Sequence, residues 1–566
     1  MNHTTPKAPA SSTVLTTAAA ILVFAGSASR ALAAHPGVEI VAMTGTPTAN
    51  GVMAEMSYRS VINSAGVVAS STTLTGTANG GRDSRLLFRA VPGAVTEITR
   101  SGGLTPNANG ILLSVLGYGM NDAGLVAGTW FLDATANAPA DDFAVFAGSG
   151  GPSTQIARAG DAAPGGVGVF GYPSVAVPMP DNSIIFYADI KNGVPAFQTG
   201  LFRNVSGVNT TIVRTGQNAP GGVGTFNQIF SEFDVNSAGQ CAFTATLNGT
   251  PDQFTDSGVF RSNGVTTTAI AREGQIMPDG NGQLYSSLGG LSLTSAIAND
   301  GTVAFTTDTL GTALYPADRY AVMLAGAGPL KIAARTNQQV PGGNGAFASF
   351  SRLSTLSAGR VLFAASLQGT SGGPGVDDGG LYLSDGTTIT TLIRKGDPIP
   401  NGNGAFAIDH FARFDVNDND DIALWTEVRG QLPGTLSGAV FFKRNGQAPI
   451  EIIREGDAFL GGTVAHVSIA AGEGAPESRA INNAGQVVFR VELTDGRTAV
   501  ARFTPPPTCL GDFNNDGQRN TLDLTMFLGK FGQIVGAYGI GDMNGDGAVN
   551  TQDLTAFLGV FGILCR

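Results

Sequence analysis

Ile156-Ala-Arg158-Ala-Gly160-Asp161-Ala-Ala-Pro164-Gly-Gly-Val-Gly168-Val-Phe170 is followed by a near copy, Ile212-Val-Arg214-Thr-Gly216-Gln217-Asn-Ala-Pro220-Gly-Gly-Val-Gly224-Thr-Phe226. Weaker copies centre on Arg272, Arg335, Arg394 and Arg454, a degenerate one on Arg100, and Val38 to Gly51 looks like another with Met43 in place of the Arg. Between successive copies lies a second motif: Asn63-Ser-Ala-Gly66, Asn121-Asp-Ala-Gly124, Asn236-Ser-Ala-Gly239 and Asn482-Asn-Ala-Gly485. Imperfect copies put Ser183, Gly301, Gly359 and Asp420 at the Gly place, the last three reading as if they lacked the Asn. The anchors 66, 124, 183, 239, 301, 359, 420 and 485 are 56 to 65 residues apart, which makes eight units.

Each unit holds about four short β-type runs separated by Gly, Asn, Asp and Pro. From Thr211 these are Thr211 to Arg214, Phe226 to Val235, Gln240 to Leu247 and Gly258 to Arg261. No long helical period interrupts them, and Asn-x-Ala-Gly suits a tight hairpin because Asn and Gly tolerate positive φ. The expected body is therefore all-β over 34–503, a β-propeller of about eight four-stranded blades. A solenoid or a pair of β-sandwiches would satisfy the same repeat. A closed ring would bring the first strand, Val38 to Ala42, and the last, Thr498 to Phe503, into neighbouring blades and hide sheet edges.

The repeated Arg and its partner three residues on invite a catalytic reading, but Asp161, Asp397 and Asp457 alternate with Gln217, Gln275 and Gln338. Gln does not titrate, so acid–base work would not survive that exchange, whereas hydrogen bonding to a turn would. The Pro-Gly-Gly loops lack the Lys-Ser/Thr ending of a phosphate loop. No Gly-x-Ser-x-Gly elbow, His-x-x-x-His or Cys-x-x-Cys is present, and beyond position 33 only His35, His410 and His466 occur. The non-repeated acids Glu232, Asp234, Asp409 and Asp415 would have to converge to act as a glycosidase pair. Asp234 and Asp415 share one place in their repeats, Phe-Asp-Val-Asn, which favours a structural role. No catalytic residue is assigned.

With 80 glycines, 13% charged residues and a net charge of −11, the chain is neither disordered nor suited to nucleic acid, which needs clustered Lys and Arg. Lys7, the apolar run Val14 to Ala28 and Ala31-Leu32-Ala33 read as a signal peptide over 1–33, and no later run is long enough to span a membrane. The expected location is extracellular or at the cell surface, where disulfides persist. Cys241 lies in an apolar run and reads as a small buried hydrophobe; Cys509 and Cys565 bracket the tail, and a bridge between them would close it on itself. Thr504-Pro-Pro-Pro-Thr508 reads as a semi-rigid linker ahead of a second domain, 509–566.

That domain contains Asp512-Phe-Asn514-Asn-Asp516-Gly517-Gln518-Arg-Asn520-Thr521-Leu522-Asp523 and, again, Asp542-Met-Asn544-Gly-Asp546-Gly547-Ala548-Val-Asn550-Thr551-Gln552-Asp553. Oxygen side chains fall at loop positions 1, 3, 5, 9 and 12 with Gly at 6, the spacing of a calcium loop. Each loop leads into a helix carrying one apolar face, Leu524, Phe527, Leu528 and Phe531, then Leu554, Phe557, Leu558 and Phe561, and the two faces are expected to bury against each other.

On these duplicated loops and helices the tail resembles a type I dockerin, of the Cys-bracketed variety found in secreted bacterial proteins. The resemblance implies two Ca2+ ions, held by Asp512, Asn514, Asp516, Asn520 and Asp523, by Asp542, Asn544, Asp546, Asn550 and Asp553, and by the carbonyls of Gln518 and Ala548. It implies a cohesin-like or other surface-protein partner, recognised through Thr521, Leu522, Thr551 and Gln552. Because the two pairs differ, a symmetric dual binding mode is not expected. The body is similar to tandem Asn-x-x-Gly-x-x-x-Phe/Trp repeat proteins of secreted bacterial proteins, a likeness that implies architecture and export. The leading expectation is a secreted, non-catalytic propeller docked through a calcium-dependent tail, its body binding an extracellular ligand or glycan. The alternative is a polysaccharide-degrading enzyme, a glycoside hydrolase or lyase, delivered by that tail.

Overall fold

The computed structural model describes residues 35–565 apart from 194, 196, 286–294, 357, 401, 409–411, 431–435, 471–478 and 515. The signal-peptide assignment and Asp409 and His410 thus lie outside the described residues. Eight antiparallel sheets form the ring. The fourth blade is typical: Thr225–Val235, Cys241–Asn248, Ser257–Ser262 and Thr267–Arg272 pair in chain order. First strands of neighbouring blades touch one another, first with second, second with third and fourth through seventh, so these strands surround the axis.

Ring closure differs from the expectation in one respect. Val38–Met43 does not enter a neighbouring blade; it is the outermost strand of the eighth, paired with Thr498–Phe503 from the far end of the chain. Every unit read from the sequence is therefore one strand out of phase, beginning on the outer strand of one blade and ending inside the next. Swapping one strand between the ends completes the last sheet with backbone hydrogen bonds and covers the edge of Thr498–Phe503.

Both motifs now have physical roles. The phenylalanines they supply meet on one blade: Phe226, Phe243 and Phe260 pack with ring centroids 4.9 to 5.9 Å apart. Phe170, Phe186 and Phe202 repeat this in the third blade, and Phe347, Phe363 and Tyr382 in the sixth. All nine are fully buried, each contributing about 1.5–3 kcal/mol of hydrophobic stabilisation. The Gly of Asn-x-x-Gly sits at φ 75° in Gly66 and Gly239, and where Gly is missing the position is filled by Asn182 (φ 62°) and Asp420 (φ 65°). Asn and Asp are the side chains that best tolerate this left-handed turn. The turn residue of the third blade is thus Asn182, one place before Ser183.

The Asn of that motif ties blade to blade. Asn121 Nδ2 donates to Met179 O at 2.7 Å, Asn236 to Ala298 O at 3.1 Å, Asn417 to Asn482 O at 2.9 Å and Asn482 to Asn63 O at 2.9 Å. Asn63 continues the circuit to Asn121 O at 3.3 Å. Asn417 stands three residues before Asp420, so that copy does carry the Asn. On the opposite side of the ring, the carboxylate or amide three residues after the repeated Arg accepts its backbone N–H: Asp161 from Arg158 at 2.9 Å, Gln217 from Arg214 at 2.8 Å, Asp397 from Arg394 at 2.7 Å. Asp and Gln are interchangeable because both use one oxygen as an acceptor. The guanidinium reaches about fifty residues back to the loop entering its own blade, as Arg272 does to Pro220 O (3.0 Å) and Val223 O (2.9 Å).

Two helices, α1 (Thr521–Lys530) and α2 (Thr551–Val560), follow the ring. Their predicted apolar faces meet only in part: Phe527 and Phe557 are buried and stacked at 5.9 Å, while Leu528, Phe531, Leu558 and Phe561 stay exposed. Cys509 and Cys565 are bonded, with Cα atoms 5.5 Å apart. The Pro-rich segment is no spacer. Pro505 is buried and Pro506 O accepts from Arg444 Nη1 at 3.0 Å, so the tail rests on the ring. Among the described residues no helix is long and apolar enough to cross a membrane.

Candidate functional site

The strongest concentration of chemistry is in the tail. In the first loop, Asp512, Asp516 and Asp523 bring carboxylate oxygens within 4.8 Å of one another; in the second, Asp542, Asp546 and Asp553 do the same. Asp523, Asp542 and Asp553 are fully buried. The loop backbone folds round these oxygens, with Gly517 N donating to Asp512 at 2.8 Å and Gly547 N to Asp542 at 3.0 Å. The turn at position 6 is left-handed in both, φ 83° and 80°, as Gly there requires.

Positions 9 and 12 have a second task that spacing did not reveal. Asn520 and Asn550 cap the two helices, accepting from Leu522 N (2.7 Å) and Gln552 N (2.8 Å), and Asp523 and Asp553 accept the cap residue's own N–H at 2.9 Å. Each loop therefore ends in a reciprocal capping box, worth about 1 kcal/mol per cap. Position 3 bonds position 5 in both loops, through Asn514 to Asp516 and Asn544 to Asp546. Gln518 and Ala548, at position 7, donate backbone N–H to those same position-5 carboxylates at 2.8 Å. Burial pushes the Asp542 carboxyl above its ordinary range, and the neighbouring charge of Asp553 adds to this against three backbone donors. Three hard oxygens converging, with no cationic side chain bonded to them among the described residues, is a donor set that fits a hard divalent ion. Thr521, Leu522, Thr551 and Gln552 are the first two residues of each helix and all are exposed.

A second constellation lies where the eighth blade meets the seventh and first. His466 Nδ1 is 2.9 Å from Glu455 Oε1, and Glu455 Oε2 accepts Gly438 N at 2.8 Å. Burial raises the Glu455 carboxyl, but these two bonds hold it below its ordinary range. The His466 ring is 6.3 Å from that of Tyr58, whose other neighbour is Arg490, with its guanidinium 4.0 Å from the ring centroid. Arg490 is 1% exposed and bonds Met56 O at 2.9 Å and Glu492 at 3.0 Å, with Glu55 4.0 Å away. Trp425 Nε1, Ser468 Oγ and Arg490 Nη2 are buried without a hydrogen-bond partner. Glu55, Glu455 and Glu492 outnumber Arg490, so the patch suits hydroxyl-rich or cationic groups and disfavours anions.

The sequence did hold a signal for this patch. At the fourth residue of the second strand, blades carry Ser71, Thr129, Thr244 or Thr306, and the sixth, whose strand starts one residue earlier, has Ala364 at the equivalent place, but Tyr187, Trp425 and Arg490 stand there in the third, seventh and eighth. Bulky side chains at a position otherwise kept small mark where the ring departs from its repeat. Of the candidate acids that are described, Asp234 and Asp415 are engaged with backbone. Asp234 accepts Ile297 N at 2.8 Å and Asp415 accepts Ala480 N at 2.7 Å, each pinning backbone of the next blade. Burial raises both carboxyls, Asp415 to about 6, and Arg479 acts on both in the opposite sense. Glu232 lies near Tyr187, whose hydroxyl it helps to raise. Cys241 is buried with its thiol pushed up to about 12 by burial, as an inert core residue should be.

The ring carries a family signature: the chain belongs to a family of unknown function, DUF7453, whose model matches residues 34–379 and 249–502. No curated protein matches the chain. Among solved structures it is similar to the β-propeller domain of the Trilobed protease from Pyrococcus furiosus, at 10% identity and TM-score 0.34, over 72% of this chain and 99% of that one. It is also similar to a polysaccharide lyase, an ulvan lyase, at 11% identity and TM-score 0.31, over 82% and 96%. An acylaminoacyl peptidase matches at 12% identity and TM-score 0.32 over 68% of this chain, which spans about half (52%) of that enzyme. Identities this low do not extend to activity.

Proposed function

We propose that this protein is an extracellular, non-catalytic β-propeller held in place by a calcium-dependent, dockerin-like tail. The observation that carries the reading is the pair of three-carboxylate clusters, each built by an equivalent loop and closed by an equivalent capping box. Asp512, Asn514, Asp516, Gln518 O, Asn520 and Asp523 would hold one ion, and Asp542, Asn544, Asp546, Ala548 O, Asn550 and Asp553 the other. Bound Ca2+ supplies the positive charge that lets these carboxylates stay close. The chain's own residues do the rest: the Asp at position 12 joins loop to helix, and the helix starts at Thr521–Leu522 and Thr551–Gln552 face outward for a cohesin-like partner. Calorimetric titration of the full chain with Ca2+ should show two sites that disappear in Asp516→Ala/Asp546→Ala. Failure to bind any ion would falsify the calcium reading.

A second reading, polysaccharide cleavage at the ring, is supported by His466. Glu455 holds its Nδ1, leaving Nε2 without a hydrogen bond among the described residues and so able to accept or donate a proton. Exposed Tyr58 offers a ring face to a sugar and the three glutamates offer acceptors to its hydroxyls. Binding and turnover of neutral polysaccharides, followed separately in wild type and His466→Ala, divide the two readings. Turnover lost with binding retained would make it an enzyme; binding without turnover in either supports the non-catalytic propeller.

A further inference from the structure

The two loops are nearly identical in sequence, yet the ring uses them differently. In the first loop Asn514, Asp516, Gly517 and Gln518 are exposed; in the second, Gly545 is buried and Asn544, Asp546, Gly547 and Ala548 are partly covered. What covers the second loop is the segment entering the ring-closing strand. Gly37 N donates to Gly545 O at 2.9 Å, and Gly37 O accepts Thr504 N at 2.8 Å. Gly545 in turn donates its N–H to Asp542 at 2.8 Å. A single glycine thus connects a position-1 carboxylate to the first strand of the ring.

The fit is close on both sides. A Cβ on Gly545 would lie 2.5 Å from the Tyr538 ring and 2.8 Å from Gly37 N; one on Gly37 would lie 2.4 Å from Thr504 O. Tyr538 belongs to the same loop through its N–H, which donates to Asp542 at 2.9 Å. The segment is also fixed from the ring side. His35 is buried, its ring nitrogens 3.0 Å from Ile452 O and 3.2 Å from Ala458 O, and its edge meets Phe459 at 5.5 Å. Position 4 is Gly in the second loop and Asn in the first, which leaves only the second able to approach a backbone this closely.

We infer that the second loop is an intramolecular clasp: loaded with calcium, it fastens residues 35–37 and so secures the ring-closing strand Val38–Met43, while the first loop is left for an external partner. The inference rests on the calcium reading proposed above. With the three carboxylates of the second loop unneutralised, their repulsion acts directly on the Asp542–Gly545 bond, and the acceptor for Gly37 is lost with it. Among the described residues the first loop has no such contact, and its ion should leave the ring unaffected.

The test is hydrogen exchange across 38–43 in the full chain, with calorimetry on the same samples. Chelation should speed exchange of this strand by about tenfold or more. Asp546→Ala should do so in saturating calcium, with one ion still bound, whereas Asp516→Ala should also bind one ion yet keep the strand protected. Gly37→Ala should lose protection while binding two ions, which tests the clasp without touching a ligand. Two ions bound with exchange unmoved by chelation would overturn the clasp and leave the calcium reading standing. Equal loss in Asp516→Ala and Asp546→Ala would overturn the assignment to the second loop. No ion bound would remove the calcium reading, and the clasp with it.

Discussion

Removing the side chain of Asn482 tests whether the hydrogen-bond circuit between blades holds the ring closed. Asn482 is 5% exposed; its Nδ2 donates to Asn63 O in the first blade and to Gln486 Oε1, both at 2.9 Å. Its Oδ1 accepts from Gln486 N at 2.9 Å and Ala484 N at 3.1 Å, holding its own hairpin. Alanine would strand Gln486 N and take from Asn63 O one of its two donors, leaving it Gly66 N at 3.0 Å. At about 1–3 kcal/mol for the group left unpaired and about 1 kcal/mol for the bond lost across the closure, the cost is about 2–4 kcal/mol. Asn482→Asp separates the two tasks, since it keeps both acceptor bonds and loses the link across the closure together with the donation to Gln486 Oε1. Urea denaturation followed by tryptophan fluorescence reads the ring alone, because Trp130 and Trp425 both lie in it. A loss below about 0.5 kcal/mol for Asn482→Ala, the size of an ordinary surface change, would refute the reasoning. Met179, Ala298 and Leu356 occupy this position in three blades, so the circuit tolerates gaps; the closure between eighth and first blade is where a gap should matter most.

Two further outcomes follow from buried groups. Burial raises the Asp415 carboxyl from 3.8 to about 6, so the folded state binds its proton more tightly than the unfolded chain. Its contribution is full below pH 3.8 and lost as pH rises through 6, about 3 kcal/mol in all. Asp415→Asn should therefore become progressively more stable than wild type between pH 4 and pH 7, and a pH-independent difference would contradict this. The bond between Cys509 and Cys565, 56 residues apart, should stabilise the tail by about 4 kcal/mol through loop closure. Cys565→Ser should then lower the urea midpoint of protease resistance in 509–565; an unmoved midpoint argues against it.

The unit count and strand type were legible because enough blades keep the Arg turn, the Phe and the Asn-x-x-Gly hairpin for the degenerate copies to be placed between them. The phase was not, since nothing in Val38–Met43 says that its partner lies at Thr498–Phe503. The Asn-x-x-Gly motif read as a hairpin, which it is, but its Asn also bonds a residue about sixty positions away, and local turn rules contain no such term. The helical faces were overread. Offsets of 0, 3, 4 and 7 identify one side of a helix, and two ten-residue helices meeting at Phe527 and Phe557 leave Leu528 and Leu558 outside. The prolines suggested separation, whereas Pro505 packs against the ring. The patch around His466 needed the repeats to be aligned with each other before Trp425 and Arg490 stood out.

The shared eighth blade also sets an order of events. Seven blades take all four strands from one continuous stretch and can form as that stretch is completed. The eighth joins Val38–Met43, among the first residues made, to Thr498–Phe503, among the last. Contacts so distant in sequence form slowly, because a very long loop must close before they give any return. Until then Val38–Met43 is an unpaired edge that another chain could capture. Ring completion is the late step of assembly, and the same seam is where unfolding should begin.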